Sequence, residues 1–196
     1  CLVCMVCARN AAMGFNRWAD RNIDAKNPRT ANREIPRGVI KSRSALIFTI
    51  INALLFIAGA GLINPLCLKL SPLALLIVLG YSLTKRYSWL CHLVLGLGLS
   101  CAPIGAYIAV TGQFHWLPIL FSGIVLTWVS GFDVLYSLQD IQFDQSVGCH
   151  SIPSKVGIRN ALIISILLHI ITVILVVAAG VLAKLNLMYG LGCLIF

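Results

Sequence analysis

In a 196-residue chain that is 59% hydrophobic, the side chains best suited to do chemistry are its six acids. They are Asp20, Asp24, Glu34, Asp133, Asp140 and Asp144, and they fall into two groups. Asn16, Asp20 and Asp24 recur every fourth residue, which stacks them along one helical face. Asp133, Asp140 and Asp144, with Tyr136 between them, are expected to share one face in the same way. Carboxylates one turn apart repel each other unless a cation lies between them. Mg2+ is held by one or two carboxylates plus substrate phosphates, so Asp20, Asp24, Asp133, Asp140 and Asp144 are candidate metal ligands. Glu34 is expected to form an ordinary ion pair with a neighbouring arginine.

Basic residues near both groups would complete a phosphate site. Arg29, Arg33, Lys85, Arg86, Lys155 and Arg159 all lie near the ends of apolar runs. A guanidinium fork binds diphosphate oxygens in pairs. Arg33, Lys85 and Arg86 are the preferred diphosphate ligands among them. No histidine is assigned a ligand role. The eight cysteines lie mostly in or beside apolar runs, where cysteine packs as a small hydrophobe. Cys4 and Cys7 lack the second pair that a zinc site requires.

These groups are carried by a membrane protein. Charged residues make up 11% of the chain against about 25% in a soluble domain, and the mean hydropathy is +0.93. Five runs are long enough to cross ~30 Å of hydrocarbon: Ser44–Ile63, Leu66–Thr84, Leu90–Thr111, Leu117–Ser137 and Arg159–Ala183. Two partial spans, Cys1–Asn16 and Leu185–Phe196, flank them, so the chain reads as one transmembrane domain over residues 1–196, truncated at both ends. The fold class is all-α, a multi-span bundle, because barrel strands would alternate polar and apolar residues.

The segment 17–43 holds eight of the fifteen basic residues, and basic-rich and basic-poor connections alternate along the chain. The rich connections are assigned to the cytoplasm. Four crossings separate the two acidic groups, and four is even, so both groups emerge on the same side. The net charge of +9 reflects topology and phosphate binding, and nucleic acid is not an expected partner.

On these residues the sequence resembles the UbiA superfamily of intramembrane aromatic prenyltransferases. Its first motif, Asn-x-x-x-Asp-x-x-x-Asp, matches Asn16, Asp20 and Asp24. The stretch Asn27-Pro28-Arg29-Thr30-Ala31-Asn32-Arg33 looks like its conserved loop, and Thr84-Lys85-Arg86 like its basic turn. Asp133, Tyr136, Asp140 and Asp144 match the second motif. The resemblance is greatest to the 4-hydroxybenzoate polyprenyltransferases, and it implies nine helices in the full protein, of which part of the second to part of the eighth lie here.

The resemblance also implies a reaction and a setting, the bacterial inner membrane. A polyprenyl diphosphate docks among the helices with its diphosphate on Mg2+ held by Asp20, Asp24, Asp140 and Asp144, with Asn16 and Asp133 as nearby partners. The prenyl group passes to an aromatic acid, and Tyr136 is the candidate to face the allylic cation; Phe132, Trp128 and Tyr81 are further candidates to shield it, with apolar packing their expected role. Two alternatives remain open: a dihydroxynaphthoate acceptor of menaquinone synthesis, and, more remotely, a cation transporter.

Overall fold

The computed structural model describes residues 1–195, excluding the side chains of Leu194 and Ile195. It is all-helical: α1 (Leu2–Asp24), α2 (Ser42–Ile63), α3 (Pro65–Thr84), α4 (Cys91–Thr111), α5 (Trp116–Ser137), α6 (Ile141–Val147), α7 (Ile152–Leu182) and α8 (Leu187–Ile195). A single 3-10 turn, Leu138–Asp140, joins α5 to α6. By length and composition five helices can cross a membrane, α5 being counted together with α6.

Local signals set the helix ends. Asn64 alone joins α2 to α3: its side chain accepts from Cys67 N at 2.8 Å and donates to Ile108 O at 2.9 Å, while Pro65 opens the next helix. Gly112 closes α4 at φ +69, a left-handed conformation that glycine adopts without a side-chain clash. Ser151 caps α7 through a reciprocal pair of bonds with Ser154. That cap moves the start of α7 to Ile152, seven residues before the expected Arg159, and Gly157 (φ +80) kinks the helix between the two points. The C-terminal partial span becomes α8, and Phe196 lies outside the described residues.

Neighbouring helices pack in the sequence α1–α2–α3–α4–α5–α7, with α1 also touching α3. Their contacts are polar or small. Thr127 and Thr172 bond at 2.7 Å between α5 and α7, and Ser165 donates to Gly131 O at 2.9 Å. Asn10 of α1 donates to Asn52 of α2 at 3.2 Å. Large aliphatic side chains such as Leu54, Leu76 and Ile174 point outward. This reverses the soluble pattern, because lipid is as apolar as leucine and helices associate through close backbone approach and hydrogen bonds.

The closest approach is at Gly96, where an added Cβ would meet Ser130 Oγ at 2.2 Å and Leu126 O at 2.6 Å. Gly96→Ala is expected to lower stability by about 1–3 kcal/mol through overpacking of α4 against α5. Gly105→Ala, with open space around it, should leave the thermal midpoint in detergent unchanged or slightly raised.

Candidate functional site

The first acidic group ends α1. Asn16, Asp20 and Asp24 occupy successive turns, and the two carboxylates are 1% and 4% exposed. A carboxylate this deep is too costly to leave without compensating charge. Asp20 meets Lys85 Nζ at 2.7 Å and Arg86 at 3.5 Å, both from the turn after α3. Arg86 also donates to Ala19 O. Asp24 receives Arg33 Nη1 at 2.8 Å on both oxygens. Asn16 donates to Asp20 at 3.3 Å and to Ser82 Oγ on α3 at 3.3 Å, which ties the two helices together at the carboxylates.

The second group arrives from the far half of the chain. Asn27 donates to Asp140 Oδ1 at 3.1 Å, and Arg29 donates to both Asp140 oxygens, through Nε at 3.0 Å and through Nη2. Arg29 Nη1 reaches Tyr136 OH at 2.9 Å, and its guanidinium carbon stands 5.2 Å from the Tyr136 ring centre. The bond to Asp140 holds the Arg29 pKa above its ordinary value, outweighing partial burial. Asn27 is itself fixed, with its side-chain oxygen accepting from Arg29 N at 2.9 Å. Lys85 lies within electrostatic reach of Asp20, Asp140 and Asp144, and Lys85 O accepts from His150 N at 2.7 Å. Both acidic groups therefore lie at one end of the bundle, as the even number of crossings requires.

Several expectations need correction. Asp133, Asp140 and Asp144 do not lie on one continuous helical face. The Ser137 hydroxyl returns to Val134 O at 2.8 Å, the helix tightens into the 3-10 turn, and Asp140 leaves it with φ −107 and ψ 7. Asp133, still within α5, bonds across to α4, where His92 Nδ1 lies 2.6 Å from its Oδ2, whereas Asp140 bonds to the 25–41 loop. Asp144 sits beside Ser151. Glu34 makes no ion pair among the described residues, whereas Asp24 and Asp140 each make one and Asp20 makes two. Burial decides the difference, since Glu34 is not among the buried residues and gains little from a fixed partner.

Arg29, Asn27, Ser82 and His92 join the site without having been singled out for these contacts. Asn27 and Arg29 did carry a signal, their place in the loop after the first acidic group. Ser82 and His92 carried none, being ordinary polar residues in or beside apolar runs. Of the aromatic candidates, Tyr81 lies within electrostatic reach of Asp20 and Asp133. Trp128 instead packs edge-on against His169 of α7 at 5.1 Å, and Phe132 is exposed.

Among the described residues no three His, Cys, Asp or Glu side chains converge on one point. The donor set that does exist, buried aspartate oxygens supported by an asparagine, suits a hard divalent cation that completes its shell with phosphate and water. It does not suit a cation caged entirely by protein.

The profile of the UbiA prenyltransferase family matches residues 1–196. The chain is 32% identical over 194 residues to the 4-hydroxybenzoate octaprenyltransferase of Aliivibrio salmonicida, covering 97% of this chain and 66% of that protein. It is 33% identical over 184 residues to the enzyme of the same name from Aeromonas hydrophila, covering 92% and 63%. The chain thus spans about two thirds or slightly less of the length of these relatives.

Among solved structures, the apo form of a UbiA homologue from Aeropyrum pernix K1 superposes with a TM-score of 0.93 at 34% identity, covering 98% of this chain and 73% of that one. A homologue from Archaeoglobus fulgidus bound to DMAPP and Mg2+ shares the fold, with a TM-score of 0.73 at 20% identity over 100% and 72% of the two chains.

Asp140 fastens the 25–41 loop to the second motif, so Asp140→Ala is expected to loosen that loop. Hydrogen bonds to a charged group contribute about 1.5–3 kcal/mol, with the lower end applying because the Arg29 side chain is 35% exposed. Trypsin cleavage after Arg29 or Arg33 should accelerate by roughly tenfold, since cleavage tracks the open population. Glu34→Gln should leave the rate of cleavage after Arg29 unchanged.

Proposed function

The chain belongs to the UbiA prenyltransferase family, and on that premise we propose that it transfers a polyprenyl group from an allylic diphosphate to the ring of 4-hydroxybenzoate. The observation that carries the reading is the meeting of two acidic groups, more than a hundred residues apart in sequence, through the Asn27–Asp140 and Arg29–Asp140 bonds at the end of the bundle that also holds Asp20 and Asp24. The names of the bacterial relatives support the acceptor and the quinone pathway it serves. A dihydroxynaphthoate acceptor draws no support from them. The DMAPP and Mg2+ bound to the Archaeoglobus homologue support the class of donor.

Asp20, Asp24, Asp140 and Asp144 would hold Mg2+, with Asn16 orienting Asp20 and Asp133 standing nearby. Bound Mg2+ supplies positive charge to the diphosphate oxygens and so favours departure of the leaving group. The remaining work falls to the protein's own groups. Lys85, Arg86 and Arg33 now bond to carboxylates. Their long stems let them turn towards diphosphate oxygens as negative charge gathers there. Arg29 anchors the phenol of Tyr136, whose ring is thereby oriented to shield an allylic cation.

The polyprenyl tail would lie among the helices, open to lipid. The basic loops are assigned to the cytoplasmic side of a bacterial inner membrane. Against a transporter stands the position of the charge, which gathers at one end of the spans rather than near the bilayer midplane.

In membranes supplied with a polyprenyl diphosphate, 4-hydroxybenzoate and Mg2+, Asp20→Ala or Asp140→Ala should abolish product while the protein still inserts. Chelation of divalent cations should do the same to the unmodified chain. Activity retained by either variant would overturn the metal assignment. Activity with dihydroxynaphthoate alone would overturn the acceptor.

A further inference from the structure

His92 is 3% exposed, yet it belongs to neither motif. It lies in the first turn of α4, beside α5 and the start of α7, and both of its ring nitrogens are engaged. The backbone N–H of Ile152, at the first position of α7, points at His92 Nε2 from 3.2 Å. That N–H is one of the donors that every helix start leaves without an internal partner. An imidazole nitrogen that accepts a hydrogen bond carries no proton, so the proton of the neutral ring resides on Nδ1. Nδ1 in turn stands 2.6 Å from Asp133 Oδ2 and donates to it. The contact is therefore a hydrogen bond from a neutral ring to a carboxylate. Ser130 Oγ also donates to the His92 carbonyl at 3.2 Å and fixes the backbone from which the ring projects.

We propose that His92 is a positioning residue for Asp133: the first turn of α7 sets the ring's tautomer, and the ring then aims the Asp133 carboxylate at the metal–diphosphate site. This rests on the metal reading given under Proposed function. A ring nitrogen that orients a carboxylate beside a metal acts as the outer partners of metal sites do. The arrangement also explains why the carboxylate of Asp133, 28% exposed, can be held in place without an ion pair to lysine or arginine.

The two ring nitrogens can be tested separately. An asparagine amide at this position places its NH2 near the site of Nδ1 and loses the acceptor for Ile152. A glutamine amide reaches the site of Nε2 and loses the donor to Asp133. Mn2+ binding to the full chain in detergent, with inorganic diphosphate present, would be followed by the loss of the free-ion EPR signal. Thermal midpoints would be measured on the same samples without metal.

His92→Gln is expected to weaken Mn2+ binding by about 10–100-fold while keeping a midpoint near that of the parent chain. His92→Asn should do the reverse, binding Mn2+ nearly as the parent does with a lowered midpoint. Parallel losses of binding and midpoint across the two variants, or parent-like binding in His92→Gln, would overturn the role of His92. Asp20→Ala serves as the reference: its failure to weaken Mn2+ binding would remove the metal reading itself. Loss of binding in Asp20→Ala with none in His92→Gln would overturn the His92 proposal alone.

Discussion

Everything at the functional end of this molecule depends on the compensation of buried negative charge. Asp20 and Asp24 lie at 1% and 4% exposure in the last two turns of α1. Left without compensating charge, such groups would destabilise the fold by several kcal/mol. Instead each draws in a cation from another part of the chain: Lys85 and Arg86 from the turn after α3, and Arg33 from the loop after α1. Those ion pairs fix where the loop and the turn lie. The 25–41 loop, held at Arg33, is then able to present Asn27 and Arg29 to Asp140. One electrostatic requirement thus orders three segments that apolar packing alone would leave unspecified.

The rest of the bundle supports this end with few large buried side chains. Its interfaces are built on Gly96 against Ser130, Gly131 against Ser165 and His169, and Thr127 against Thr172. Small residues let the backbones approach, and hydroxyls find partners across the helix pair. Rigid placement follows from the same contacts. Ser130 bonds to the carbonyl of His92, so the packing of α4 on α5 and the contact to Asp133 share a residue. Likewise, Ser82 reaches Asn16 and so couples the packing of α1 on α3 to the carboxylate of Asp20.

Much of this was legible in the residues. Long apolar runs predict the spans, the fourfold spacing of Asn16, Asp20 and Asp24 predicts a shared helical face, and the parity of crossings predicts that both acidic groups face the same way. What escaped was set by contacts between distant segments. The 3-10 turn at Leu138–Asp140, which takes Asp140 off the face of Asp133, has no signal in composition. The ion pairs of the aspartates depend on burial, which a charge count cannot supply. His92 and Ser82 gain their roles only from the helices that happen to lie beside them.

The 25–41 loop illustrates how a connection becomes part of a site. Its ends are fixed by α1 and α2, and hydrophobic contact contributes little to its order, since Val39 and Ile40 are exposed. Its shape instead comes from polar bonds: Thr30 to Asp24 O at 3.2 Å, Arg33 to the Asp24 carboxylate, and Asn27 and Arg29 to Asp140. Every one of these bonds ends on a residue of the two acidic groups. An anion that drew Arg33 or Arg29 away from its carboxylate would therefore act on the loop's anchor and on the buried acids together. On the proposed reading, diphosphate binding and loop order would be coupled through these shared arginines.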